Sequence, residues 1–311
     1  MKYLVTGGAG FIGSHLSEEL LNTGNSVQVI DDLSSGYETN LPRHNSLQFT
    51  AKAIQNISAF DVEHFDGIFH LAAQASVPVS IEKFYESCSN NLLSSLRVFE
   101  IARLQNIPVV YASSSAIYGN LPLGDDEKDI YEILSPYAQD KLVLEQYAKV
   151  FCDLYNISSI GLRFFNVYGP RQDPTNPYSG VISIFIDKFL KHEQVIINGG
   201  YQTRDFIFVK DVVKVIIQAM RRARTEKICN FINVGTGKSS TIDELYDKLS
   251  ELFGYKPEKV YRPLPSGDPD KSSGTFRKLM DLLEIDLNAF TSFSNGLGET
   301  IKFCKGENEK V

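Results

Sequence analysis

Tyr137 and Lys141 stand four residues apart directly after Ser135-Pro136, and three consecutive serines, Ser113, Ser114 and Ser115, lie upstream of them. A phenol is a poor base at neutral pH, with an ordinary pKa of about 10. An ammonium about 5 Å away, at an effective dielectric constant of about 20, favours the phenolate by roughly 3 kcal/mol, or about 2.4 pKa units. A phenol so placed approaches the range where general acid–base catalysis is efficient. A serine hydroxyl alongside would share the proton of a substrate alcohol and hold it in line. The set therefore reads as a proton relay acting on a hydroxyl group. A second Tyr-x-x-x-Lys, Tyr255 to Lys259, contains Pro257 and reads as an accident on a solvated turn.

The elements that must position these groups are visible on either side. Ile107-Pro-Val-Val-Tyr-Ala112 reads as a buried parallel strand, which sets the serines at its carboxyl end, where open α/β sheets place ligands. Pro136 opens a helix that runs to Tyr155 and projects Tyr137 and Lys141 from one face. At the start of the chain, a strand Lys2 to Thr6 runs into Gly7-Gly-Ala-Gly-Phe-Ile-Gly13 and a helix to about Thr23. Gly8-x-Gly10-x-x-Gly13 is a dinucleotide fingerprint in its required context, with glycines that admit a pyrophosphate to a helix N-terminus. A second strand, Ser26 to Ile30, ends at Asp31, whose carboxylate would accept from ribose hydroxyls and repel a 2′-phosphate. The expected coenzyme is therefore NAD and not NADP.

Further strands at Leu47 to Thr50, Gly67 to Leu71 and Ser159 to Arg163, with a helix near Tyr85 to Gln105, complete an α/β alternation. The expected fold is a Rossmann-type doubly wound parallel sheet with a smaller, loop-rich C-terminal substrate-binding lobe. The dinucleotide domain would span 1–166, with segments near 207–235 returning to it, and 167–311 would form mainly the lobe. The loop-rich run Tyr168 to Gly180, followed by a helix to about Lys191, marks the change. Gly235-Thr-Gly-Lys-Ser239 resembles the tail of a P-loop, but Ile232 stands where the first glycine belongs. Apolar residues on more than one side of the two long helices, among them Leu93, Leu96, Val98, Leu142, Leu144 and Tyr147, suit a homodimer interface and equally suit burial within one subunit.

Composition narrows the class. The chain has 311 residues, 43% hydrophobic and 22% charged, with a net charge of −7 that disfavours a nucleic-acid surface. Cys88, Cys152, Cys229 and Cys304 lack paired or metal-ligand spacing, which suits reduced thiols and a cytoplasmic setting. No apolar run approaches the roughly 20 residues of a membrane span, and no metal site is expected.

Taken together, these residues resemble the extended short-chain dehydrogenase/reductase family, and within it the nucleotide-sugar epimerases acting at C4 of UDP-hexoses. The resemblance runs from Lys2 to about Lys278. Its motifs are Thr6-Gly-Gly-Ala-Gly-Phe-Ile-Gly-Ser-His15, Asp31-Asp-Leu-Ser-Ser-Gly36, His70-Leu-Ala-Ala-Gln-Ala-Ser-Val77, Asn91, Ser113-Ser-Ser-Ala-Ile-Tyr-Gly119, Tyr137-x-x-x-Lys141, Phe164-Phe-Asn-Val-Tyr-Gly-Pro-Arg171, Thr203-Arg-Asp205 and Gly267-Asp268. The resemblance implies tightly held NAD that takes a hydride from sugar C4 while Tyr137 takes the hydroxyl proton, rotation of the 4-keto sugar, and return of the hydride to its other face. Ser114 matches the catalytic serine, with Ser113 and Ser115 as neighbours able to substitute.

By the same resemblance, Gly7, Gly10, Phe11, Ile12 and Gly13 hold the pyrophosphate side of NAD. Asp31, Asp32, Leu33, Ser35 and Gly36, with Ala53 and Ile54, surround its adenosine. Leu71, Ala72, Ala73, Gln74 and Asn91 line its channel, and Ser113, Tyr137, Lys141 and Phe164 complete the coenzyme set. Ser114, Asn166, Val181, Asn198, Arg204, Asp268 and Ser272 are the implied substrate residues, with Asn166 and Arg204 on the UDP diphosphate and Asp268 on the uridine ribose.

Three positions depart from the family pattern. Ala53-Ile54 stands in place of Asp-Ile, Pro265 replaces an arginine for which Arg262 is a substitute, and Gly274-Thr275 replaces Ala-Asp. Ser272 stands where galactose-restricted members carry a bulky tyrosine, so N-acetylhexosamines are expected to fit. Ser115-Ala116 offers no acidic group beside the catalytic serine, which argues against the family's dehydratases and decarboxylases, and Asp31 argues against an NADP-dependent reductase. A non-catalytic NAD sensor would have no need of a complete serine, tyrosine and lysine set.

Overall fold

The computed structural model describes residues 1–175, 180–264 and 269–307. The chain opens with β1 (Lys2–Thr6), α1 (Phe11–Asn22), β2 (Ser26–Asp31), β3 (Leu47–Ala51) and β4 (Gly67–His70). There follow α2 (Val77–Glu82), α3 (Phe84–Gln105), β5 (Val109–Ser114), α4 (Pro136–Tyr155), β6 (Ser159–Phe164) and β7 (Asn166–Tyr168). It continues through α5 (Val181–Leu190), β8 (Val195–Asn198), β9 (Thr203–Phe208), α6 (Val209–Thr225), β10 (Cys229–Val234) and β11 (Ser239–Thr241). The last elements are α7 (Ile242–Phe253), β12 (Lys259–Arg262), β13 (Lys271–Ser272), α8 (Arg277–Leu283) and α9 (Phe293–Cys304). No helix among the described residues is long and apolar enough to cross a membrane.

Two compact units emerge. The first comprises Met1–Ile117, Ile133–Arg163 and Val213–Ile232, and the second comprises Tyr118–Glu132, Phe164–Val212 and the chain from Asn233 onward. The returning stretch of the first unit is thus narrower than 207–235. The segment 118–132, which the sequence alone leaves beside the catalytic stretch, groups with the second unit through Asn233. The Asn233 amide accepts from the Tyr118 hydroxyl at 2.8 Å and donates to the carbonyls of Gly124 and Thr275 at 3.1 and 2.9 Å.

The first unit is built on a seven-stranded sheet of order β10-β6-β5-β4-β1-β2-β3, parallel and flanked by helices as the α/β alternation requires. Its core joins sheet residues such as Leu4, Ile68, Val109 and Tyr111 to Val98, Phe99 and Ile101 of α3 and Leu144 and Ala148 of α4. Strand β5 begins two residues later than its apolar pattern suggests, because Pro108 has no N–H to donate and serves the ladder only through its carbonyl, which accepts from Ile68. It also runs two residues further, so Ser113 and Ser114 are its last residues. Helix α4 has the boundaries its sequence signals, with the Ser135 hydroxyl capping the N–H of Ala138 and Asn156 closing it in the left-handed conformation at φ 60°. The short α2 has a start signal too, Ser76 as cap with Pro78 in the first turn, but too few residues for its period to stand out.

In the second unit, β9 is central. It pairs with β11 antiparallel and with β7 and β13 in parallel, while β8 and β12 form a separate parallel pair. Phe165 against Phe276 and Tyr168 against Phe206, Phe208 and Phe293 supply aromatic packing beneath it.

Candidate active site

The strand order of the first unit reverses between β1 and β4, and the loops leaving those two strands meet there, which is where ligands enter open α/β sheets. A β-carbon on Gly7 would lie 2.6 Å from the backbone nitrogen of Ala72, and one on Gly13 would lie 2.1 Å from the carbonyl oxygen of Gly7. Gly7 adopts φ +70°. The turning glycine is therefore Gly7, while Gly8 packs against the side chain of Val29. Helix α1, with Phe11 and Ile12 as its first residues, has Gly10 at its cap and no side-chain cap there, so its amide end suits an anionic ligand.

Asp31 is buried and accepts from the N–H groups of Ala9 at 3.0 Å and Leu33 at 2.8 Å. Burial pushes its carboxyl up, against the pull of those donors. It thus joins the two turns that would face adenosine. Asp32 caps Ser34, Ser35 is exposed, and Gly36 packs against Ala9. Ala53 precedes a short 3-10 turn, while Ile54 sends its side chain into the core. The loop Leu71, Ala72, Ala73, Gln74 is pinned at both ends, by Leu71 N–H to Thr6 at 3.0 Å and by Gln74 N–H to the Asn91 side chain at 2.8 Å. Glycine cradle, amide end and ribose-side carboxylate together fit a dinucleotide.

At the carboxyl end of β5, Ser114, Tyr137 and Lys141 come together, all three buried. The Ser114 hydroxyl accepts from the N–H of Ala116 at 3.1 Å, and the Lys141 ammonium lies 5.7 Å from the centre of the tyrosine ring while donating to the carbonyl of Ala112 at 2.8 Å. Ser113 is differently engaged, donating to Glu145 at 2.6 Å. Tyr255 and Lys259 form no such set. Tyr255 packs against Phe189 and Phe253, and Lys259 lies in β12.

The electrostatics correct one expectation. Burial holds the Lys141 ammonium down at about 8, opposed by the carboxylates of Asp140 and Glu145. The phenol of Tyr137 is raised by burial, lowered by the Ser114 hydrogen bond and raised again by Asp140. In the chain alone burial is the largest influence on the phenol and holds it above its ordinary range, not below it as the spacing in the sequence suggests.

Sequence reading missed the groups that hold this site. Glu145, four residues beyond Lys141 on the same helix face, takes a bidentate ion pair from Arg163 of β6 at 2.8 and 2.7 Å, with both side chains only 1% exposed. His70 is buried and its imidazole is lowered to about 3, first by burial and then by the Lys141 charge. Ser95 donates to the carbonyl of Asn91 at 2.6 Å, so it must accept from His70 Nε2, 3.0 Å away. That fixes the Nε2–H tautomer and leaves Nδ1 to accept from Thr6 at 2.7 Å. The i, i+4 step from Lys141 to Glu145 was the available signal. Nothing in the spacing could announce Arg163.

In the second unit, Asn166 of β7 donates to Ser272 of β13 at 3.5 Å, and Ser272 stands opposite Arg204 of β9. Arg204 is buried and donates to the carbonyl of Thr203 at 2.8 Å. Asn198 ends β8 opposite Arg262 of β12, while Val181 begins α5 after Gly180. Phe164 ends β6 and is buried. Asp268, with Pro265 and Gly267, lies outside the described residues. The turn at Gly235-Thr-Gly237 does collect an anion, but an internal one. Asp205 accepts from the N–H and hydroxyl of Thr236 at 2.9 and 2.7 Å and from the N–H of Gly237 at 2.8 Å.

Residues 3–235 match the NAD dependent epimerase/dehydratase family, and the chain belongs to it. Its cofactor is NAD. A putative UDP-glucose 4-epimerase of Methanocaldococcus jannaschii is 34% identical over 98% of this chain and 99% of its own length. A UDP-N-acetyl-alpha-D-glucosaminuronate decarboxylase of Bacillus cytotoxicus is 31% identical over 98% of both chains. Among solved structures, UDP-N-acetylglucosamine 4-epimerase from Methanobrevibacter ruminantium, in complex with UDP-N-acetylmuramic acid, superposes with a TM-score of 0.91 at 36% identity, covering 99% of each chain. The Thermotoga maritima UDP-glucose 4-epimerase with UDP-glucose gives 0.89 at 34% over 99% of each.

Proposed function

We propose that this enzyme interconverts C4 epimers of a UDP-hexose or UDP-N-acetylhexosamine through a transient 4-keto sugar. The observation that carries the reading is the convergence of buried Ser114, Tyr137 and Lys141 at the carboxyl end of β5, with the Lys141 ammonium against the tyrosine ring. Bound NAD supplies a hydride acceptor that returns the hydride in the same catalytic cycle. The protein supplies the rest. Ser114 holds the C4 hydroxyl in line, and Tyr137 removes its proton and later gives one back. Lys141, kept cationic, favours the phenolate form of Tyr137. Gly7, Gly10, Gly13 and Asp31 hold the coenzyme, with the Leu71–Gln74 loop and Asn91 alongside. Asn166 and Arg204 supply donors for a diphosphate, and the small Ser272 leaves room for an N-acetyl group.

Relatives in this family include a decarboxylase, whose chemistry needs acid–base groups beyond the proton relay. Ser115 and Ala116 place none beside Ser114. The deciding experiment is to incubate purified protein with UDP-glucose, UDP-galactose, UDP-GlcNAc and UDP-GalNAc and follow the products by NMR. C4 inversion without net NADH release is expected, while water loss, carbon dioxide or stoichiometric NADH would overturn the proposal.

The same reading includes a homodimer. The apolar residues of the long helices divide, with Val98 and Leu144 in the core and Leu93 and Tyr147 exposed. Tyr147, Val150 and Leu154 then form an i, i+3, i+7 stripe on α4, with Leu154 70% exposed. Light scattering should give twice the chain mass, and Leu154→Glu should halve it.

A further inference from the structure

We propose that Asp140 is a positioning residue of the proton-transfer site, a buried carboxylate that fastens the catalytic helix to the coenzyme loop and sets a negative charge next to Lys141. The proposal rests on the reading of Tyr137 and Lys141 as the proton-transfer pair.

The geometry begins with a charge in an unusual place. Asp140 lies between Tyr137 and Lys141 on α4, yet it is only 4% exposed, and isolated carboxylates are rarely buried without a partner. Its partner is the Asn91 amide of α3, which donates to Asp140 Oδ2 at 2.9 Å. The same amide receives the N–H of Gln74 at 2.8 Å and donates to the Gln74 carbonyl at 3.2 Å. Asp140 therefore locks the rotamer of the side chain that clamps the end of the Leu71–Gln74 loop. From Asn91 the chain of hydrogen bonds continues through Ser95 and His70 to Thr6, the residue before the glycine turn. One carboxylate thus ties α4 to both strand-end loops that cradle the coenzyme.

A neutral acceptor would satisfy Asn91 equally well, so the charge itself needs a reason. The groups around it supply one. Cys88 of α3 faces Asp140 with its thiol pushed up to about 11 by burial and by that carboxylate, and is therefore neutral at working pH. His70 of β4 is neutral as well, and the charge of Arg163 on β6 is taken by Glu145. Tyr137 and Tyr111 of β5 are both held above the ordinary phenol range by burial. Among these groups Lys141 is the cation without a direct carboxylate contact, its ammonium donating to the carbonyl of Ala112. Burial discourages its charge, and Asp140 is the first of the carboxylates opposing that loss.

The test separates charge from shape. Asp140→Asn and Asp140→Ser both keep an oxygen able to accept from Asn91 and remove the charge. In NAD-loaded protein carrying 13Cε-lysine, with Lys141→Met assigning the resonance, the Lys141 midpoint should fall by about one unit or more in both variants. Asp140→Glu should restore it. The high-pH limb of kcat for the UDP-hexose should move down by the same interval, so that activity drops about fivefold near pH 8 and little near pH 6.5. A residue that only shapes the helix would scale the rate down equally at all pH values. A folded neutral variant whose Lys141 titrates at the wild-type midpoint overturns the proposal. The titration needs no sugar. Failure of the wild type to turn over UDP-hexoses would therefore count against the proposed function, while the Lys141 midpoint would still decide the role of Asp140.

Discussion

The two units use buried charge for different ends. In the first, Lys141, Asp140, Glu145 and Arg163 lie on two neighbouring elements, and each is held by a named partner close to the groups that would move a proton. In the second, Asp205 and Arg204 are equally buried but serve a small sheet, Asp205 by filling a glycine turn and Arg204 by bonding the strand it belongs to. On the function proposed above, the contrast becomes a division of labour in which the first unit would fix the chemistry for any sugar and the second would rank the sugars. Gly7–Gly13 ends at a helix with no side-chain cap, whereas the donors of Gly235–Gly237 are spent on Asp205.

The strongest way to break that division is Tyr137→Phe. Loss of the general base should lower kcat by about 10³-fold or more for every accepted sugar alike, while NAD content, read by absorbance after denaturation, stays at the wild-type level. A variant that lost only one sugar would assign selection to the first unit. Next in size is Glu145→Gln, which leaves Arg163 buried beside a neutral partner. Removing one member of a buried ion pair costs about 3 kcal/mol or more, so the urea midpoint should fall with little change in the slope. An unchanged midpoint would mean that water reaches Arg163. In the second unit, Ser272→Tyr should cut turnover of UDP-GlcNAc by about 10²-fold and spare UDP-galactose, since a bulky ring excludes the N-acetyl group rather than the hexose. Equal loss on both sugars would make position 272 structural.

How much of this was legible beforehand follows from how local each signal is. The boundaries of α4, the glycine turn and the Tyr137–Lys141 step depend on residues a few positions apart, and the sequence carried them almost unchanged. Why Gly7 must be glycine is not local, because the close approach of Ala72 in the loop after β4 demands it. The resemblance singles out Ser114, but what engages Ser113 elsewhere is Glu145, across from the strand on a different element. The depressed phenol was argued from the distance to a cation and omitted the burial that also acts on that cation. Grouping of 118–132 with the second unit depends on Asn233, more than a hundred residues away, and no periodicity encodes such a contact.

The smallest expected effect opposes the two units through pH. His70 has an ordinary pKa of 6.5 and a folded value of about 3, set by burial. Between those values the unfolded chain takes up a proton that the folded first unit refuses, so stability is lost as pH falls below 6.5, by about 2 kcal/mol at pH 5. Asp205 in the second unit is shifted the other way, its carboxyl raised by burial against the donors of Thr236 and Gly237. There the folded state binds the proton more readily, and acidification from the folded pKa down toward the ordinary value of 3.8 favours it. Thermal unfolding followed from pH 7 to 5 should therefore show a steeper fall in Tm for the wild type than for His70→Gln, whose amide can donate to Ser95 and accept from Thr6 without titrating. Asp205→Asn should leave that slope nearly unchanged. Parallel curves for wild type and His70→Gln would place the acid sensitivity outside the first unit's hydrogen-bond chain, and the buried neutral imidazole would then be bearing no proton-linked strain.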